Sequence, residues 1–152
     1  MNPKFIMLVG IPGSGKTTYA TILTLVTDAI HLSSDGIRTE LYGDEATQGN
    51  PSEVFEIMHK RTLEALASGF DVIYDATNII RKDRASIISK LPEHVRIECH
   101  VMQTPIEMCI KRDFERTRSV GKHVIDRMFK RFQAPEYDEG FDSIEYVEDW
   151  YA

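Results

Sequence analysis

The sequence predicts an α/β fold of three layers around a five-stranded, mostly parallel sheet. Apolar runs of four to six residues recur along the chain, and segments of helical period separate them, as in strand-helix units. Glycines at 10, 13 and 15 fall directly after the first apolar run, where a strand passes into a helix.

Taken in order, the strands are predicted at 4–9, 29–33, 71–75, 95–101 and 143–147. Two helix starts carry capping chemistry. Asn50-Pro51-Ser52-Glu53 and Thr104-Pro105-Ile106-Glu107 each offer a cap, a proline at the first helical position and a glutamate at the third. The helix begun at Pro51 carries Val54, Met58, Ala65 and Leu66 on one side. It stops at Gly69, a residue free to take the left-handed conformation that ends helices, and crosses over to the strand at 71–75. Between Gly43 and Asn50 lies a short connection. Repeats, low-complexity tracts and linkers are absent, so residues 1–152 are expected to form one domain.

Composition excludes several classes. With 42% hydrophobic and 28% charged residues, the chain is neither fibrous nor disordered. The first strand follows Met1 so closely that no signal peptide fits, and no apolar stretch would span a bilayer; a cytoplasmic protein with no membrane partner is expected. Cys99 and Cys109 sit in apolar surroundings and read as buried free thiols. The five histidines show no metal-ligand spacing, so no structural zinc is expected. The net charge of −6 is polarised: residues 111–131 hold eight Lys and Arg against three acids, while residues 133–152 hold seven acids and neither Lys nor Arg. That acidic stretch reads either as a solvated surface or as a repellent of wrong partners.

Residues 10–17, Gly-Ile-Pro-Gly-Ser-Gly-Lys-Thr, match a phosphate loop between strand and helix. Gly10, Gly13 and Gly15 let backbone N–H groups converge on an anion at the positive end of the following helix. Lys16 adds charge at the β- and γ-phosphates, and the Thr17 hydroxyl suits the shell of a Mg²⁺ ion. A nucleoside triphosphate and Mg²⁺ are the cofactors this implies. The motif alone is shared by ATPases, switches and kinases.

Transfer to a hydroxyl requires a carboxylate to take its proton. Asp35 follows the second strand at the carboxyl edge of the sheet, where ligands bind in open α/β folds. Arg38, three residues on, shares its helical face and suits an anion on the substrate. Equally, Asp35 could cap the helix with Arg38 as its ion partner. Asp75 closes the apolar run Val72-Ile-Tyr-Asp and suits Mg²⁺ waters, acceptor positioning or a turn cap. A lid is predicted at about 112–124: Arg112 and Arg116 are four residues apart and share a face, whereas Arg118 falls elsewhere and can pair with Glu115. The competing reading of that run is a solvated charged face.

Taken together, Gly10-Ile-Pro-Gly-Ser-Gly-Lys-Thr-Thr-Tyr-Ala20, Ser34-Asp35-Gly-Ile-Arg38, Asp75-Ala-Thr-Asn78 with Arg81-Lys-Asp-Arg84, and the Arg112/Arg116 lid resemble the 5′-kinase domain of phage-type polynucleotide kinases. Those belong to the wider group of small P-loop, AAA-type kinases. Val124-Ile-Asp-Arg-Met128 and Phe132-Gln-Ala-Pro135 through Glu139-Gly-Phe-Asp142 resemble the family's closing segment. The resemblance implies transfer of the γ-phosphate of ATP to the 5′-hydroxyl end of a polynucleotide. It assigns Asp35 as general base, with Lys16 and Arg116 clamping the transition state. Gly10, Pro12, Gly13, Ser14, Gly15, Lys16, Thr17, Thr18, Arg112 and Arg116 would contact the nucleotide; Asp35, Arg38, Asp75 and Asn78 the acceptor; Thr17 and Asp75 the metal. No Asp-x-Asp-x-Thr phosphatase motif follows, so trimming of 3′ ends is not expected. A small-metabolite or antibiotic kinase of the same build is the alternative acceptor class, and a nucleotide-binding switch the alternative of another kind.

Overall fold

The fold is seen in a computed structural model that describes residues 2–43, 49–116 and 119–148. In chain order the elements are β1 (Lys4–Val9), α1 (Lys16–Thr27), β2 (Ile30–Ser33), α2 (Ser34–Tyr42), α3 (Pro51–Ala67), β3 (Val72–Asp75) and α4 (Arg81–Ile88). There follow β4 (Arg96–Met102), α5 (Ile106–Phe114), α6 (Lys122–Arg131), a 3-10 turn (Tyr137–Glu139) and β5 (Ser143–Val147). The five strands form one sheet in the order β2-β3-β1-β4-β5, and every pairing is parallel. The sequence expectation of a mostly parallel sheet thus becomes an entirely parallel one.

Strand β1 is central and buried on both faces, which explains its unbroken apolar run. Successive side chains alternate in direction. Phe5, Met7 and Val9 pack with Val54, Met58 and Leu66 of α3 and Ile87 of α4. Ile6 and Leu8 point to the opposite core, against Ala20 of α1. Three layers follow, with α1 on one face and α3 and α4 on the other. At about 1.5–3 kcal/mol for each fully buried large apolar side chain, the five residues of β1 anchor the domain. Both cysteine side chains, Cys99 and Cys109, are buried. Among the described residues no helix is long and apolar enough to cross a membrane.

The two capping signals fare differently. Asn50 caps α3, its side chain accepting from Ser52 N at 3.0 Å, with Pro51 at the first helical position. Gly69, at φ 87°, ends the segment in the left-handed region. Helix α5 begins instead at Ile106, with Pro105 extended at the cap position. The Thr104 hydroxyl donates to the Ser14 carbonyl at 2.8 Å, so it ties α5 to the phosphate loop.

Among the described residues, the acidic C-terminal stretch is largely structural, not a bare solvated face. Asp138 meets Arg81 at 2.9 Å, Asp142 accepts from Ile97 N at 2.8 Å, and Glu139 accepts from Arg84 at 2.8 and 3.1 Å. Both members of the last pair are buried, the side chains 0% and 2% exposed. Folding also brings Glu98 and His100 of β4 to Glu145 of β5, their ligating atoms within 4.8 Å of one another. Spacing along the chain could not show this cluster. Arg96 Nε at 3.0 Å and Lys4 Nζ at 3.9 Å already compensate Glu98, so the cluster needs no metal to balance its charge.

Candidate active site

The carboxyl ends of β1, β2 and β3 lie side by side, with Leu8 and Ser33 both in register with Asp75. The segments that follow these strands therefore meet above one edge of the sheet, and they enclose a cleft of about 880 Å³.

Its floor is the phosphate loop. Gly13 and Gly15 take φ of 82° and 90°, values that a side chain tolerates poorly. Gly10 N donates to Thr77 O at 3.0 Å, and Ser14 N to Ile11 O at 3.2 Å. A Cβ on Gly13 would overlap the Cys109 carbonyl, and one on Gly10 would come within 2.6 Å of Ser14 Oγ. The loop is thus clamped between the segment after β3 and helix α5. Lys16 opens α1, and Thr17 and Thr18 are exposed in its first turn, so the loop's N–H groups and the helix's positive end face the same cleft. Gly13→Ala combines a backbone clash with a forbidden φ. It is expected to lower nucleotide affinity at least about tenfold and to cost about 1–3 kcal/mol of stability, checked by nucleotide titration and urea unfolding.

On β2 the chain turns into α2. Ser33 is the cap: its Oγ accepts from Gly36 N at 2.9 Å. Asp35 is therefore not the cap and sits in the first turn, its side chain 55% exposed at the cleft. Arg38 NH1 donates to Asp35 Oδ1 at 2.9 Å, so the ion pair expected from i,i+3 spacing is present. Arg38 is mostly covered, and its Nε is buried without a hydrogen-bond partner among the described residues. A guanidinium N–H buried in this way calls for an acceptor, and the described residues supply none.

Asp75 ends β3 and is 5% exposed. His31 Nε2 donates to its Oδ2 at 2.8 Å. In the sequence His31 is one of five scattered histidines. Its signal is visible only once β2 and β3 are known to be neighbours: His31 pairs with Ile73, and Asp75, two residues on, shares that face. Asn78, placed at the acceptor by resemblance, has a backbone task here. At φ 50°, its Nδ2 donates to Leu8 O at 2.7 Å and Ala76 O at 3.3 Å, which straps the end of β3 to β1. It borders a neighbouring cleft and not the one over the phosphate loop.

Arg112 near the end of α5 and Arg116 just beyond it both line the cleft; the helix stops at Phe114, so the expected shared helical face does not extend to Arg116. Arg118 and its suggested pairing with Glu115 lie outside the described residues. Asp113, unremarked in the sequence, is 2% exposed and organises this region. Its two carboxylate oxygens accept from Val120 N and Gly121 N, each at 2.9 Å, and so fix how α5 hands over to α6. Facing cations, a dipole-bearing helix start and a separate carboxylate make the cleft suited to a polyanion on one side and a hydroxyl on the other.

Comparison with known proteins agrees with this geometry. The model of a family described as an AAA domain matches residues 5–135. The "Putative bifunctional polynucleotide phosphatase/kinase" of Acanthamoeba polyphaga mimivirus is 26% identical over 95% of this chain and 33% of its own length. "Transcription factor bHLH140" of Arabidopsis thaliana is 25% identical over 91% of this chain and 15% of its own length. The chain thus spans a third or less of these two relatives. A chain of the Pnkp1/Rnl/Hen1 RNA repair complex shares the fold with a TM-score of 0.76 at 24% identity, covering 86% of this chain and 44% of the other. With its phosphate loop between β1 and α1 and its parallel sheet, the chain belongs to the AAA-domain family.

Proposed function

We propose that the chain is a Mg²⁺- and ATP-dependent kinase that transfers the γ-phosphoryl group to a hydroxyl, most specifically the 5′-hydroxyl end of a polynucleotide. One observation carries this reading: a single cleft joins the phosphate loop, the Asp35–Arg38 pair, Asp75 and the two lid arginines. A switch needs the loop but has no use for an acceptor base opposite it. The likeness to the mimivirus relative supports a polynucleotide end as acceptor.

The residues present fit a hard cation, since the Thr17 hydroxyl and the Asp75 carboxylate both border the cleft and are oxygen donors. His31 engages only one oxygen of Asp75 and fixes the carboxylate's direction. When bound, Mg²⁺ neutralises charge on the transferring phosphate. The chain's own groups do the remainder. Loop N–H groups and Lys16 hold the triphosphate, Asp35 takes the acceptor's proton, Arg38 holds the phosphate adjoining the acceptor nucleoside, and Arg112 and Arg116 meet charge from the lid side.

Labelled ATP offered to 5′-hydroxyl oligonucleotides and to a pool of hydroxyl metabolites tests the reading. Transfer to the oligonucleotide end is expected; strong metabolite transfer with none to oligonucleotides would replace it by a small-metabolite kinase. Within the lid, Arg116→Ala is expected to lower kcat about a hundredfold, the lower end for one transition-state donor because Arg112 remains in the cleft. Arg118→Ala is expected to cost less, and the reverse ranking in single-turnover transfer would reassign the clamp.

A further inference from the structure

Beside the phosphate-loop cleft lies a second one of about 600 Å³, between α3 and α4. Phe55, His59, Tyr74, Asp83, Ser86 and Lys90 border it, and Phe55 and Thr77 border both clefts. A ligand whose hydroxyl sits at Asp35 can therefore continue past Phe55 into this space. Phe55 and His59 lie four residues apart on α3 and share a face, so the entrance and one wall are aromatic.

The polar groups select the occupant. His59 is 8% exposed, and its Nδ1 lies 2.8 Å from Lys90 Nζ. An ammonium only donates, so Nδ1 accepts and the ring proton sits on Nε2. Burial, and then the charge of Lys90, hold the imidazole below its usual pKa, which keeps it neutral. The Nε2–H of this nine-tenths buried ring has no hydrogen-bond partner among the described residues. Glu56 and Asp83 add carboxylates, and Thr77 and Ser86 add hydroxyls. A phosphodiester here would face two carboxylates, and Lys90, the only lysine among the described residues of its lining, is turned to His59. A neutral, flat ring with both N–H donors and ring acceptors on its edge would meet complementary groups on every side.

We propose that this cleft holds the nucleobase of the acceptor's 5′-terminal nucleoside, stacked on Phe55 with its edge toward His59 Nε2 and the carboxylates of Glu56 and Asp83. The assignment rests on the polynucleotide reading above. Arg38 then keeps the sugar-phosphate chain in the first cleft, and the base is held without any contact to the reacting atoms.

The test compares KM for two 5′-hydroxyl oligonucleotides, identical except that one carries a tetrahydrofuran abasic residue at its 5′ end. In the wild-type chain the abasic end is expected to have a KM about tenfold higher, the size of one base–aromatic stack. Phe55→Ala removes the stacking face, and Ser86→Trp, on an exposed position of α4, fills the cleft. In each variant the ratio of the two KM values is expected to collapse to about one, because only the base-bearing end has anything to lose. A wild-type ratio of one, or a ratio that survives both substitutions, overturns the inference and leaves the polynucleotide reading standing. Transfer to neither oligonucleotide overturns that reading and the inference with it.

Discussion

Asp35→Asn is expected to slow phosphoryl transfer by a hundredfold to about ten-thousandfold, while ATP binds with nearly unchanged affinity. The substitution is close to isosteric, and an amide oxygen still accepts from Arg38 NH1, now 2.9 Å from Asp35 Oδ1. The start of α2 is untouched because Ser33 caps it. What disappears is the ability to accept a proton. Were Asp35 only the surface partner of Arg38, the loss would be that of an exposed ion pair, on the order of 0–1 kcal/mol of stability and little in rate. The two roles therefore differ by at least about tenfold in single-turnover transfer. A nucleotide switch would likewise show its ATP turnover intact in the variant. A variant that loses Mg·ATP affinity but keeps its transfer rate would remove Asp35 from the acceptor side altogether.

Much of this was legible in the sequence because the signals are local. The run Phe5 to Val9 followed by glycines states a strand, a loop and a helix within a dozen residues, and each strand lies within about two residues of its expected bounds. Asn50 and Gly69 mark the two ends of one helical segment by their own conformational chemistry. Arg112 and Arg116 were close enough in sequence to suggest one cleft, but α5 ends at Phe114, so the course of the chain beyond the helix, which spacing does not encode, brings Arg116 there. The residues that escaped are those whose partners are far along the chain. His31 finds Asp75 across 44 residues, and Thr104 finds Ser14 across 90. Asp113 has its partners nearby, but they are backbone N–H groups, which carry no signature in the sequence. Asn78 shows a related gap: resemblance places it at the acceptor, and only the pairing of β3 with β1 shows that its amide is engaged by Leu8 O.

The acidic closing segment yields the second large effect. Arg84→Ala is expected to destabilise the domain by about 3–5 kcal/mol, a large part of the 5–15 kcal/mol that holds a domain of this kind together. Arg84 is fully buried and donates through Nε and NH2 to Glu139, and through NH1 to Asn78 O at 2.9 Å. Removing it leaves a carboxylate 2% exposed without its counter-charge, which costs far more than the lost contact itself. The double change Arg84→Met with Glu139→Leu removes both charges and is expected to recover most of that loss in urea unfolding. Recovery stays incomplete because Glu136 N, now 2.8 Å from Glu139 Oε2, and Asn78 O lose partners. The consequence reaches the active site. Asn78 straps β3 to Leu8, two residues before Gly10, whose N–H in turn rests on Thr77 O. A single-variant loss of ATP affinity, measured well below the unfolding transition and restored in the double variant, would establish that the buried pair holds the phosphate loop in shape. Equal stability for Arg84→Ala and the double variant would show instead that the buried charge was never the costly element.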